Sequence, residues 1–385
     1  MLADVIVVGA GYFGASVAYN LALKGLKVVL LEQKEILSGA SGGNFGRVQL
    51  QDAELGLSLE LSLLSWQHIL NLEKELETDI EFRRSGSLIV AIDPQEWIKL
   101  QQIQEKKREA GIAIELLEKQ EIKKIEPYLD TSFIEGASYC LEGQLNPFKL
   151  IYAFIHKASN LGAEMLENTP VTGFKIANGK IKEVITTRGN LSAGIVVLTT
   201  GAWTTMLTRK IGLDIPIKFV WGEALVTEKV GPLVNNYFSL ASFFEHQQLN
   251  ERELRVSLCC TRTNTGNLLI GETMMHGKDY QLESNEDYLS QKENLMYLSQ
   301  EMLRFFPGLR HLKVIRSWRV PVAYTADHKP YLGFFGPENL VIAAGFKSSA
   351  IMTPIVGQIV TELVTQGKCS IDLKEFQEER GKCLN

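Results

Sequence analysis

Three observations predict an α/β plus α+β fold for this 385-residue chain. A strand, a glycine turn, a helix and a second strand open the sequence. A mostly β stretch runs from about Pro216 to Gly277, and α/β character returns from Leu340. No internal repeat, low-complexity segment or Pro/Gly-rich linker divides the chain, so domains built from interleaved pieces are expected.

The elements follow in order. Val5 to Val8 is a β-branched run suited to a buried parallel strand. Gly9-Ala-Gly-Tyr-Phe-Gly14 follows directly, and Ala15 to Lys24 has helical periodicity with Gly25 as its C-cap. Val28 to Leu31 is a second buried strand, ending at Glu32. This is one βαβ unit of about thirty residues, the expected size. Ser58 to Leu76 and Gln95 to Ala110 read as helices on either side of a strand at Ser87 to Ala91. A helix over Phe148 to Leu161 leads to a strand at Met165 to Glu167. Val171 to Ile176, Lys182 to Thr187 and Ile195 to Thr199 read as a meander. Leu268 to Gly271 is a strand, Gln291 to Phe306 a helix, Leu340 to Ala344 a strand and Ser349 to Gln366 a helix.

Gly9, Gly11 and Gly14 match G-x-G-x-x-G in the context that gives the pattern meaning. Gly9 permits a tight turn out of the strand, Gly11 lets the backbone approach a pyrophosphate, and Gly14 lets the helix pack close to the sheet. The helix N-terminus offers unpaired N–H groups to phosphate. Glu32 stands where a carboxylate would accept bonds from ribose hydroxyls. The pattern predicts a Rossmann-type dinucleotide site without separating one dinucleotide from another.

Composition excludes other classes. The formal net charge is -5, and Lys106-Lys-Arg108 is flanked by Glu105 and Glu109, so nucleic acid is not the expected partner. Five cysteines without a C-x-x-C pair suit free thiols in a reducing compartment. The six histidines show no metal-binding spacing. No signal peptide and no membrane-spanning run is read, so a cytoplasmic protein is expected, with docking onto a membrane through a partner left open.

Further motifs carry a resemblance. Gly39-Ala-Ser-Gly-Gly-Asn-Phe-Gly46 resembles the glycine- and serine-rich flavin loop of the D-amino acid oxidase-like superfamily of FAD-dependent oxidoreductases. Thr199-Thr-Gly-Ala-Trp203 resembles its strand-end segment, and Ser317 to Asp327 with Lys329-Pro-Tyr-Leu-Gly333 its C-terminal flavin loop. Ala343-Ala-Gly-Phe346 and Pro354 to Gly357 resemble its last strand and helix. The likeness covers essentially the whole chain. Within the superfamily the chain is similar to glycine oxidases over Ser317 to Gly333. Through Arg84-Ser-Gly-Ser-Leu88, Asn146-Pro147 and Gly266 to Gly271 it resembles the catalytic beta subunits of heteromeric proline, opine and sarcosine-type dehydrogenases and bacterial hydrogen cyanide synthase. The beta-subunit type is favoured.

The resemblance implies a Rossmann-type FAD-binding domain from residues 1–82, 146–215 and 312–385, and a mixed antiparallel-sheet substrate domain from 83–145 and 216–311. It implies that FAD is held by Gly9, Gly11, Tyr12, Phe13, Gly14, Glu32, Gln33, Ala40, Ser41, Asn44, Phe45, Gly46, Val171, Thr200, Gly201, Trp203, Gly345, Phe346, Lys347, Ser348 and Ser349. Val322 occupies the place of a flavin-linking cysteine in monomeric sarcosine oxidase, so non-covalent FAD is expected. It also occupies the place of the carboxylate-binding arginine of glycine oxidase. Phe346-Lys-Ser-Ser-Ala350 departs from the Gly-His-Gly or His-Phe-Arg-Asn-Gly usual near the last helix.

The implied reaction is oxidation of a small amine, amino acid or imino acid at its C–N bond, by hydride transfer to flavin N5. No side-chain base is strictly required when a neutral amine donates the hydride. Lys347, Arg47 and Arg262 are the candidate partners for a substrate carboxylate, and Tyr324 a candidate hydrogen-bond donor. Lys347 lies in a Gly-Phe-Lys stretch similar to one in monomeric sarcosine oxidase, and its charge could instead stabilise the reduced ring. Two alternatives stay open: an FAD-carrying subunit active only in a complex, with an electron-accepting alpha subunit or as a homo-oligomer, and C–O oxidation of a 2-hydroxy acid.

Overall fold

The computed structural model describes residues 2–242, 255–277, 282, 288–377, 380 and 382–383; residues 243–254 of the expected β stretch lie outside them. The opening unit is β1 (Leu2–Val8), α1 (Tyr12–Leu23) and β2 (Val28–Leu31). Then come β3 (Arg47–Val48), α2 (Leu57–Leu76), β4 (Arg83–Ala91), α3 (Pro94–Glu109), β5 (Ile114–Leu117), α4 (Lys119–Ile125) and β6 (Gly136–Gln144). α5 (Pro147–Asn160) leads through β7 (Glu164–Leu166) to β8 (Val171–Ala177), β9 (Lys180–Thr186) and β10 (Gly189–Leu198). α6 (Thr204–Arg209) and β11 (Leu213–Asp214) precede β12 (Lys218–Lys229), β13 (Tyr237–Leu240), β14 (Arg255–Arg262) and β15 (Asn267–His276). The last elements are α7 (Lys292–Phe305), β16 (Val314–Tyr324), β17 (Tyr331–Phe334), β18 (Leu340–Ala344), α8 (Ser349–Gln366), α9 (Lys374–Gln377) and β19 (Lys382–Cys383).

The first sheet has the path β17-β18-β10-β1-β2-β7, with β8 and β9 attached through β10. β1 lies between β10 and β2 and is parallel to both, with Val5 opposite Ile195 and Val28. Both faces of β1 are covered, which is why its sequence shows no polar alternation. Val5 and Val7 enter a core with residues of α1, α5 and α8, whereas Ile6 and Val8 enter the opposite core with Ile215 and Leu340. α8 lies close on α1 because Gly357 has no Cβ; one placed there would run into Ser16 Oγ and sit 2.7 Å from Asn20 Nδ2.

The second sheet has the path β16-β12-β15-β14-β13-β4-β6-β3, with β5 on β6. One face packs on α7, where Leu298, Met302 and Phe305 meet Leu225, Leu258 and Ile270. A buried polar link ties α7 to the same face: Asn294 Nδ2 donates to Glu223 Oε1 at 2.7 Å, and Arg319 Nε lies 3.3 Å from that oxygen. The guanidinium also stacks 4.8 Å from the Trp221 ring centre. The opposite face, with Gly222, Tyr237 and Cys259, lines a cavity.

Four segments depart from the sequence reading. Helix α1 starts at Tyr12 rather than Ala15, so the glycine turn runs straight into the helix. β6 was not legible in Gly136-Ala-Ser-Tyr-Cys-Leu-Glu-Gly-Gln144, which carries no β-branched residue; pairing with β4 and β5 on its two edges makes it a strand. Val314 to Tyr324, grouped by the sequence with the dinucleotide half, pairs along its length with β12, from Lys218 opposite Tyr324 to Thr227 opposite Val314. Arg47–Val48 likewise joins the second sheet, opposite Gln144 and Gly143. Among the described residues no helix is long and apolar enough to cross a membrane.

Candidate active site

A cavity of roughly 730 Å³ runs from the ends of β1, β2 and β10 to the inner face of the second sheet. That volume lies within the range of sites that enclose a sizeable ligand. At its dinucleotide end Gly9 has φ +101°, and a Cβ on Gly11 would sit 2.7 Å from Ser41 Oγ. Gly11 caps α1 without a side-chain bond, and the Tyr12 N–H donates to Ser41 Oγ at 3.2 Å. Glu32 reaches back across the turn: it accepts from the Ala10 N–H at 2.9 Å and from the Lys34 N–H at 3.1 Å. Gln33 and Val171 line the same end.

The middle of the cavity is walled by the 39–46 loop and by the approach to α8. Asn44 Oδ1 accepts from the Tyr12 hydroxyl at 3.1 Å and from the Gly46 N–H at 2.8 Å, which fixes the loop over α1. The Trp318 ring N–H donates to the Gly43 carbonyl at 3.2 Å, joining the loop to β16. Phe13 and Phe346 stack with ring centres 4.5 Å apart. Ala40, Ser41, Phe45, Thr200, Gly201, Trp203, Gly345, Ser348 and Ser349 all face the cavity. Gly345 and Ser348 have φ of +81° and +54°, turning the chain sharply before α8. Gly14 and Gly46 do not line it and act through the backbone: a Cβ on Gly14 would collide with the Gly9 carbonyl, and one on Gly46 with the Leu145 carbonyl. A cradle kept open by missing Cβ atoms, a helix end with free N–H groups and an acid beside the turn are the features a dinucleotide such as FAD requires.

At the inner end the proposed substrate residues separate. Lys347 lines the cavity, but its ammonium is 2.8 Å from Glu54 Oε1 and 3.3 Å from Asp52 Oδ1, and Ser348 Oγ donates to Asp52 at 2.9 Å. Burial pulls that ammonium down, yet Asp52 and Glu54 outweigh it and hold it above the ordinary lysine value. The charge expected to meet a substrate carboxylate is therefore already matched. Arg47 also lines the cavity, donates to Ser85 Oγ at 2.9 Å, lies 3.9 Å from Glu142 and stacks 4.5 Å from the Tyr237 ring centre. Burial lowers it to about 10. Tyr324 faces the cavity with its hydroxyl 2.8 Å from His276 Nδ1.

Arg262 does not reach the cavity, which corrects its place among the site candidates. Successive residues of a strand face opposite ways. Cys259 faces the cavity, so Cys260 and Arg262 belong to the other face of the sheet: Cys260 enters the α7 core, and Arg262 Nη2 lies near Gly266.

The sequence reading missed Asp52, Glu54, Tyr237, Cys259, Glu272, Met274 and His276, which all line the cavity. The signal for the last three was a period of two. Glu272, Met274 and His276 continue the strand read as ending at Gly271 and share its inner face. Burial, with Asp52 adding to it, pushes the Glu272 carboxyl up to about 7.

A family model described as FAD dependent oxidoreductase matches residues 4–363. A glycine oxidase from Bacillus licheniformis is 27% identical, the match covering 99% of this chain and 98% of that protein. A sarcosine oxidase subunit beta from Rhodobacter capsulatus is 23% identical over 94% of this chain and 85% of that protein. The crystal structure of L-proline dehydrogenase from P. horikoshii superposes with a TM-score of 0.84 and 28% identity, covering 97% of this chain and 96% of that one.

Proposed function

We propose, from the premise that the chain belongs to the family of FAD dependent oxidoreductases, that it oxidises the C–N bond of a small amine, amino acid or imino acid. The observation that carries this reading is the single cavity joining the dinucleotide cradle at Gly9, Gly11 and Glu32 to an enclosed chamber under the second sheet. Bound FAD supplies the hydride acceptor there. Gly9 to Gly14, Glu32, the 39–46 loop and Gly345 to Ser349 are the residues proposed to hold it.

This chain's own residues then position the substrate and exclude water. Phe45, Trp318, Val320 and Met274 supply apolar walls. Tyr324, aligned by His276, presents a polar edge to the chamber. A neutral amine can donate a hydride without a side-chain base, which fits an inner end whose lysine is already ion-paired. The family relatives named glycine oxidase, sarcosine oxidase subunit beta and L-proline dehydrogenase support C–N chemistry over C–O chemistry. The likeness to a beta subunit supports a catalytic subunit that passes electrons to a partner.

The test is an anaerobic screen of the purified chain with proline, hydroxyproline, sarcosine, glycine, opines and simple amines. Bleaching of the flavin by one of them is the expected result. Bleaching by a 2-hydroxy acid alone would replace C–N with C–O oxidation.

A further inference from the structure

Most charged groups around the inner end of the cavity lie near an opposite charge. Lys347 pairs with Glu54 and Asp52, and Arg47 is set against Glu142. Lys107, buried behind the wall, donates to the Gln51 carbonyl and feels the charge of Asp52. Lys210 and Lys218 stand at the exposed rim. One carboxylate is left over. Glu272 lines the cavity, half-buried, and has no hydrogen-bond or ion-pair partner among the described residues. Room for it is made by Gly222 on the neighbouring strand: a Cβ there would lie 3.3 Å from Glu272 Oε2 and 3.2 Å from Val322 Cγ2.

A half-buried carboxylate without a partner is costly, and an entering cation offsets part of that cost. Among the neighbouring cations Lys347 is already ion-paired, whereas Arg47 keeps Nε and Nη2 without a hydrogen-bond partner among the described residues. We propose that Glu272 recognises the nitrogen of the entering substrate in its cationic form, the carboxylate taking one proton to leave the neutral amine that donates the hydride. This rests on the C–N oxidation reading and assigns the group that reads the substrate nitrogen.

Two probes test it on the FAD-loaded full chain. tert-Butylammonium and pivalate share a shape, carry opposite charges and lack an α-hydrogen, so neither can be oxidised. Their dissociation constants are read from the shift of the flavin absorption band at pH 8. The ammonium should bind about tenfold to hundredfold tighter than pivalate, the range of one charge-assisted hydrogen bond. Glu272→Gln should erase most of that preference while the resting flavin spectrum stays as in the wild type. Absent ammonium binding, equal binding of the two probes, a preference for pivalate, or a preference that survives in Glu272→Gln would overturn the proposal. The wild-type comparison stands even if the variant fails to fold. Flavin bleaching is read separately. Bleaching by amino acids together with a preference for pivalate sinks this inference and leaves C–N oxidation standing. An ammonium preference with no bleaching by any amine upholds the recognition and sinks the reaction.

Discussion

Lys347 and Glu54 form an ion pair across the inner wall of the cavity, with Nζ 2.8 Å from Oε1. The two residues are 293 positions apart in sequence. The pair joins the segment leading into α8 to the segment that follows β3, and Asp52 widens it to a three-residue cluster.

Removing the lysine should therefore act first on stability. Lys347→Met leaves Asp52 and Glu54 facing each other with only the charge of Lys107 behind the wall to offset them. The pair is partly buried, so a loss of about 1–3 kcal/mol is expected, below the cost of breaking a fully buried one. Thermal unfolding of Lys347→Met, Glu54→Gln and the double variant checks this. The double variant should lose less than the sum of the singles. Strict additivity would mean the pair carries no coupling.

Glu32→Ala should weaken FAD retention. Each charge-assisted bond to a ribose hydroxyl contributes about 1.5–3 kcal/mol, so one lost bond weakens binding roughly tenfold to hundredfold. The variant also frees the Ala10 and Lys34 N–H groups that Glu32 holds. Flavin remaining bound through dialysis as in the wild type would show that Glu32 does not hold the ribose.

Gly11→Val should abolish FAD binding with little loss of fold. The new Cβ would sit 2.7 Å from Ser41 Oγ, and the rest of the side chain would fill the turn where the pyrophosphate is expected. A colourless protein with wild-type circular dichroism is the expected outcome. A yellow variant would place the pyrophosphate elsewhere.

Acid precipitation should release the flavin into the supernatant. Val322 lines the cavity and has no thiol to link to the ring. Colour retained in the pellet would require a covalent link through another residue, with Cys259 the first to examine because it lines the same cavity.

Tyr324→Phe should lower the rate of flavin reduction by about twofold to tenfold, the worth of one neutral hydrogen bond. A fall of about a hundredfold or more would give Tyr324 an acid–base role. Stopped-flow reduction by an active substrate distinguishes the two, and FAD affinity should not change.

What was legible in the sequence was what local spacing encodes. Gly9, Gly11 and Gly14 announce themselves because each is needed where it stands: a positive φ at Gly9, and no room for a Cβ at Gly11 or Gly14. Glu32 follows because a parallel βαβ unit has a fixed length, and the strand at Leu340 to Ala344 and a helix from about Ser349 to Gln366 are legible in the same local way. The charge balance of the inner chamber was decided only by tertiary structure. Lys347 looked unpaired because Asp52 and Glu54 are distant in sequence, and Arg262 looked available because strand parity was unknown until β14 was placed in its sheet. Glu272 gave no sign of being unpartnered, since having no partner is a property of every neighbour at once. Local backbone requirements are written in consecutive residues. Electrostatic pairing depends on distances that chain folding sets between remote segments, and so it appears only in the assembled cavity.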